Sequence, residues 1–101
     1  QLDNVEVFNC DGRELLSKAP ELARKAQLIC ARAVAPLDKL IPICTPWLDP
    51  KGRMVFWKGN KLSKEESAAG RKAARKMGFM HFKRHDYILD DHRGGCLISV
   101  F

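Results

Sequence analysis

Two cations stand where two apolar runs stop. Leu28, Ile29, Cys30 and Ala31 are followed by Arg32, and Met54, Val55, Phe56 and Trp57 by Lys58 and Gly59. A run that is apolar without a break reads as a strand buried on both faces of a parallel sheet. Open α/β sheets bind their ligands outside the carboxyl ends of the strands. If the two strands run the same way, Arg32 and Lys58 both lie on that edge. Arg32 alone is equally well explained as an arginine leaving the sheet for water; the coincidence of two cations is the stronger signal.

Charge is also concentrated. Residues 51 to 84 hold eleven Lys and Arg against Glu65 and Glu66, a net +9, which leaves −3 for the rest of a chain whose total is +6. A one-sided basic region suits a polyanion, and nucleic acid is the usual one. The plain alternative is a solvated lysine-rich helix face. Other chemistry is weaker. His81 and His85, four apart on a strand, stand about 13 Å apart, too far for one metal, and His92 sits in a polar turn, so no metal site is expected. Trp47, Phe56 and Trp57 have faces that stack on bases, but the apolar run around Phe56 and Trp57 assigns those two to the core.

The 101 residues suffice for one domain with a modest core. No apolar run approaches the about 20 residues of a membrane span, and no signal-peptide pattern is present. The chain opens on Gln1 rather than Met, as a piece of a longer protein would. Cys10, Cys30, Cys44 and Cys96 form no C-x-x-C pair. Three of them lie in apolar runs, which points to reduced, buried thiols in a cytosolic protein rather than a disulfide framework or zinc site.

The elements that must position these residues alternate. Val5 to Phe8 reads as a short strand, and Arg13 to Lys18 has helical character. Pro20 ends that piece or starts another, with Leu22, Ala23 and Ala26 as its apolar positions. Pro36 suits the first turn of a helix whose apolar positions are Leu37, Leu40, Ile41 and Cys44, with Pro42 an awkward interior residue. Asp49-Pro50-Lys51-Gly52 is a turn sequence. Ser63 and Glu66 fit a capping box for a helix running to Met77, with Gly78 as its stop. Its thin apolar stripe is Ala69, Ala73 and Met77, leaving Arg71, Lys72, Arg75 and Lys76 elsewhere, and close packing explains a tolerated Gly70. A strand within 79 to 89, with Met80 and Phe82 on one face, a turn at 90 to 95 and a last strand at 96 to 101 form an antiparallel hairpin that closes the sheet.

Ala31-Arg32-Ala33-Val34-Ala35-Pro36-Leu37, then Pro46-Trp47-Leu48 with Gly52-Arg53, then Lys58-Gly59, resemble the small-subunit ribosomal RNA methyltransferase G family, also called glucose-inhibited division protein B. Asn4-Val5-Glu6-Val7 resembles that family's strand before the adenine-contacting loop. The likeness covers nearly the whole chain, most specifically 31 to 59, and is weakest after 79. It implies an α/β, Rossmann-like class I S-adenosylmethionine-dependent methyltransferase fold, of which residues 1 to 101 are the C-terminal half: parallel strands plus a terminal antiparallel hairpin. It also implies transfer of a methyl group to N7 of a guanine in 16S ribosomal RNA, in the cytoplasm.

The family's glycine-rich cofactor loop and its ribose-binding acid have no counterpart here, and Gly-x-Gly occurs nowhere in the chain. By resemblance, cofactor contacts fall on Gly12 and Arg13, which replace the family's Ala-Glu, and on Arg32, which is unchanged. Lys58 is assigned to phosphate or substrate, and Arg71, Lys72, Arg75 and Lys76 to RNA. His92-Arg93 stands at irregular spacing near the family's Glu-Arg. No catalytic dyad is assigned. Two other functions remain open: a non-enzymatic basic module that binds RNA through residues 51 to 84, and an interaction piece that self-associates or pairs its sheet with a missing N-terminal half.

Overall fold

The computed structural model of the chain describes residues 14–32, 35–59, 62–90 and 93–101. The strand expected at Val5 to Phe8 lies outside them. A short helix α1 (Leu15–Lys18) and a 3-10 turn at Pro20–Leu22 precede strand β1 (Ala26–Arg32). Helix α2 (Leu37–Cys44) passes through a 3-10 turn at Thr45–Trp47 into β2 (Leu48–Gly59). Helix α3 (Lys64–Lys76) leads to β3 (Phe82–Ile88) and β4 (Gly94–Val100). No described helix is long and apolar enough to cross a membrane.

The sheet order is β1-β2-β4-β3. β1 and β2 are parallel, as the two apolar runs require, with Ile29 beside Met54 and Arg32 beside Trp57. The hairpin forms as expected, but its second strand slots between β2 and β3, pairing antiparallel with both. That insertion is not legible from the order of elements. It follows from composition: β4 carries Cys96, Ile98 and Val100, at most 1% exposed, whereas the middle of β3 is Lys83, Arg84, His85 and Asp86, all exposed. The greasy strand takes the inside position and the charged one the edge.

Strand alternation gives the sheet two unlike faces. Met54 and Phe56 on β2, Ile98 and Val100 on β4 and Phe82 on β3 meet Leu37 and Ile41 of α2 and Ala74 of α3 in one core cluster. The opposite face carries Leu28 (61% exposed), Cys30 and Trp57 (39% exposed). The expectation that both apolar runs are buried on both faces is therefore half right. Among the described residues, helices of this length cover one face, and β1 is an end strand. Cys30 is accordingly not a buried thiol, while burial pushes the thiols of Cys44 and Cys96 above their ordinary 9.0.

Three local readings shift. Asp49 to Gly52 is not a free turn between elements but an irregularity within β2, which spends five residues from Leu48 to Arg53 where β1 spends two from Ala26 to Leu28. The Lys51 N–H is held by Asp49 Oδ1 at 2.8 Å. Ala26 belongs to β1, not to a helix. Pro36 is the residue before α2 rather than inside it, and its carbonyl accepts from the N–H groups of Lys39 and Leu40. Pro42 does sit inside α2.

On α3 the buried stripe is Gly70 and Ala74, one residue along from that expected, and Met77 is 42% exposed. A Cβ at residue 70 would stand 2.8 Å from Leu37 Cβ and 3.3 Å from Phe82 Cε2. The close packing inferred for this glycine is thus real: it is where α3 touches both α2 and the sheet. Gly78 follows the helix at φ +96° as its stop. Met80, 88% exposed, precedes β3 and does not share a buried face with Phe82.

Candidate functional site

The carboxyl ends of β1 and β2 bring Arg32 and Lys58 to one cleft of about 480 Å³, completed by Trp57, Gly59 and Tyr87. The sheet builds it directly. Parallel pairing sets Arg32 against Trp57, and both side chains leave by the face that the helices do not cover. Tyr87 comes from β3, opposite Gly95. A Cβ on Gly95 would lie 2.6 Å from the Tyr87 hydroxyl and 2.8 Å from its Cζ, so the hydroxyl end of the ring occupies the space that a side chain on β4 would take. Trp57 therefore does not belong to the core, where the apolar run had assigned it; Phe56, fully buried, does. Period-two alternation from Phe56 was the signal available for that distinction. The order of elements did not point to Tyr87, whose place depends on β4 entering between β2 and β3; the contrast in composition between β3 and β4 was the one signal for it.

Lys58 points the other way, toward the helices. Its Nζ lies 2.6 Å from Glu66 Oε2, with the two side chains 11% and 22% exposed, and donates to the Ala35 carbonyl at 3.2 Å. The same carboxylate oxygen accepts the Leu37 N–H at 3.2 Å. Ser63 caps α3 as expected, accepting the Glu66 N–H at 3.0 Å. The Glu66 side chain, however, does not close a capping box. It ties the start of α3 to the start of α2 and to the end of β2, satisfying one of the N–H groups that a helix start leaves open. An ammonium has three donors, so Lys58 anchors the edge and keeps one N–H to offer.

The expected RNA residues gather on the outer side of α3. Arg71, Lys72 and Arg75 line a second, basic groove of about 400 Å³ together with Lys64 and Arg84. Lys76 is exposed in the last turn of α3 and does not line it. Gly12, Arg13 and His92 lie outside the described residues.

Comparison with known proteins gives the family and the fold. The family model for rRNA small subunit methyltransferase G (GidB) matches residues 1–87. The chain is 34% identical over 74 residues to a ribosomal RNA small subunit methyltransferase G from a Nocardioides species, a match covering 73% of this chain and 28% of that protein. With the protein of the same name from Thermotoga maritima it shares 39% identity over 70 residues, covering 69% and 28%. For that from Bacillus pumilus the figures are 32% over 83 residues, 82% and 34%. The matched stretch thus spans about a third or less of each relative. Among solved structures, Aeropyrum pernix fibrillarin in complex with natively bound S-adenosyl-L-methionine superposes with a TM-score of 0.59 at 16% identity, covering 93% of this chain and 44% of that one. The fold is that of a Rossmann-like methyltransferase, and the chain belongs to the rRNA small subunit methyltransferase G family.

Proposed function

We propose that residues 1 to 101 are the C-terminal half of a methyltransferase domain that moves a methyl group from S-adenosylmethionine to N7 of a guanine in 16S ribosomal RNA. The observation that carries this reading is that Arg32 and Lys58 both stand at the carboxyl edge of two parallel strands and line one cleft, Arg32 from the open face and Lys58 from the helix side with its ammonium on Glu66, in a chain of this family. The donor set of the cleft fits part of the cofactor and the substrate. Two rings, Trp57 and Tyr87, suit a purine face, and Arg32 suits a carboxylate or phosphate. A ribose diol calls for an acid, and among the described residues no carboxylate lines the cleft. The ribose and methionine ends therefore need residues from the remainder of the domain. Gly12 and Arg13 are assigned to the adenine side by family position alone.

When bound, the sulfonium cofactor supplies a methyl group that is already activated. Guanine N7 offers an in-plane lone pair and carries no proton, so no side chain has to act as a base at the nucleophile. What remains for this chain is positioning, worth several kcal/mol when reacting atoms are held in line, up to about 7–11 in favourable cases. Arg32 holds the cofactor, Lys58 offers its remaining N–H to phosphate or base, and the Glu66 contacts keep both helix starts and the lysine in place. Arg71, Lys72, Arg75 and Lys76 bind RNA.

Titration calorimetry tests this. The isolated 101 residues should bind S-adenosylmethionine weakly or not at all, and the chain joined to the upstream part of its parent should bind it. In the longer protein, Arg32→Ala should weaken binding more than Lys39→Ala on the exposed surface of α2. Low-micromolar binding by the 101 residues alone, or equal effects of the two substitutions, would overturn the assignment.

A second reading, an interaction piece that completes its sheet with another copy or with the missing half, is favoured by one observation. Among the described residues β1 pairs only with β2, and Leu28 stands 61% exposed beside the free edge.

A further inference from the structure

We propose that the groove between α3 and β3 seats the sugar–phosphate backbone of structured RNA, with Lys64 and Arg84 as phosphate ligands beside Arg71, Lys72 and Arg75. The choice of RNA as the polyanion rests on the methyltransferase reading above; the groove itself stands on its own geometry.

The groove arises from a step in the fold. Gly70 lets α3 lie close on Leu37 and Phe82, and the part of β3 beyond Phe82 forms a ledge beside the helix, where Arg84 joins the cations of α3. On that ledge Phe82 is buried and Arg84, two residues on and on the same face, is exposed. On the helix, Lys64, Arg71 and Arg75 recur at near-whole turns along one side, with Lys72 next to them. From residue 64 to 75 that line is about 16 Å long. Five cations line the groove and no acidic side chain does, among the described residues.

Two of the guanidiniums have a partner in the structure, Arg84 through an exposed ion pair. Arg71 lies over the Phe82 ring, 4.9 Å from its centroid. Arg84 Nε donates to Asp86 Oδ1 at 2.8 Å, which leaves its terminal N–H groups for an anion. Fixed planar forks lose less freedom on binding phosphate than free lysines do, and this separates the groove from an ordinary solvated face. Its direction matters too. Lys64 belongs to the first turn of α3, the turn that Glu66 fastens to Lys58. A backbone followed from Arg75 to Lys64 therefore arrives at the end of the molecule that holds Arg32 and Lys58.

The test is the salt dependence of binding of a fluorescent RNA stem-loop to the chain joined to the upstream part of its parent, with no cofactor present. Taking the duplex slope of about 0.9 per phosphate, five contacts make affinity fall about 500-fold over a four-fold rise in salt, and three make it fall about 40-fold. The double substitution Lys64→Gln with Arg84→Gln should show the smaller fall. Lys18→Gln with Lys39→Gln removes the same charge from outside the groove and should keep the larger one. An unchanged slope in the groove variant, or equal slopes in both variants, would overturn the proposal. A measurement on the unsubstituted chain covers the case in which a variant does not fold: RNA should protect Lys64 and Lys72 from acetylation and leave Lys18 and Lys39 reactive, and the opposite pattern overturns it. Heparin competing as well as RNA at equal charge would overturn the assignment to RNA. Because no methyl transfer is read, loss of the methyltransferase reading would leave these outcomes intact, and the converse holds.

Discussion

Glu66 is the residue on which the candidate site depends most. One carboxylate oxygen meets Lys58 Nζ at 2.6 Å and the Leu37 N–H at 3.2 Å, so its removal strands a largely buried ammonium. Breaking a buried pair from one side costs about 3–5 kcal/mol. Glu66 keeps 22% exposure, so Glu66→Gln should lose about 3 kcal/mol, the lower end of that range. Urea unfolding should show a lower midpoint with an unchanged slope, and a loss under about 0.5 kcal/mol, the scale of a surface substitution, would show that the contact is ornamental. Residues of this kind were half legible. Ser-x-x-Glu announced the helix start, and the Glu66 N–H to Ser63 bond appears as read. The side chain's partners stand 8 and 29 positions away, and local pattern carries no information about them. Arg32 and Lys58 could be placed together because parallel strands carry position along the sheet directly. Tyr87 could not, because the order of elements does not state that β4 intervenes and only the contrast between apolar β4 and charged β3 hints at it.

At the scale of elements, α3 is fixed by a contact that a helix-propensity argument alone gets backwards. Glycine inside a helix costs about 1 kcal/mol relative to alanine, which predicts that Gly70→Ala stabilises. The added Cβ would sit 2.8 Å from Leu37 Cβ and 3.1 Å from its Cδ1. Forcing such a contact typically costs about 1–3 kcal/mol, and here the nearer obstacle is a Cβ, which cannot swing away. Gly70→Ala should therefore be destabilising on balance, by about 1 kcal/mol, with a lower melting temperature by circular dichroism. A stabilised variant would mean that α2 and α3 can part at little cost. The stripe on α3 was read one residue out of place for a related reason: small residues at 68, 69, 70, 73 and 74 offer no volume contrast by which to choose a face.

Over the whole molecule the two ends of the sheet differ in kind. β3 presents Lys83, Arg84, His85 and Asp86 along its exposed edge, which discourages further strands. β1 carries no charge from Ala26 to Ala31. It is flanked on the helix side by an apolar cleft of about 420 Å³ that includes Ile29, Ile43 and Trp47, and on the other side by exposed Leu28. Such an edge is open to pairing. The isolated chain should consequently run as a dimer or larger species, or unfold without a sharp transition, in size-exclusion chromatography with light scattering and thermal melts. A monomer with a cooperative melt would show that this edge is satisfied within the chain. The parallel pair and the terminal hairpin were legible, because each follows from runs and turns close in sequence; the bare face of the sheet was not, because unbroken apolar runs read as buried on both sides. The sheet's ends were less so, since an edge is defined by what is not beside it.

The position of β4 sets an order of events. Of the described strands it is made last, yet it lies inside the sheet, paired on both sides, with Ile98 and Val100 fully buried. While a ribosome is still adding residues 94 to 100, β3 has no neighbour, and β2 has only β1. Phe82 and Phe56 then face a gap that β4 fills. Sheet closure thus waits for the last described strand: a chain cut before residue 94 holds the described helices and three of the four described strands, but not the one that makes them a single body.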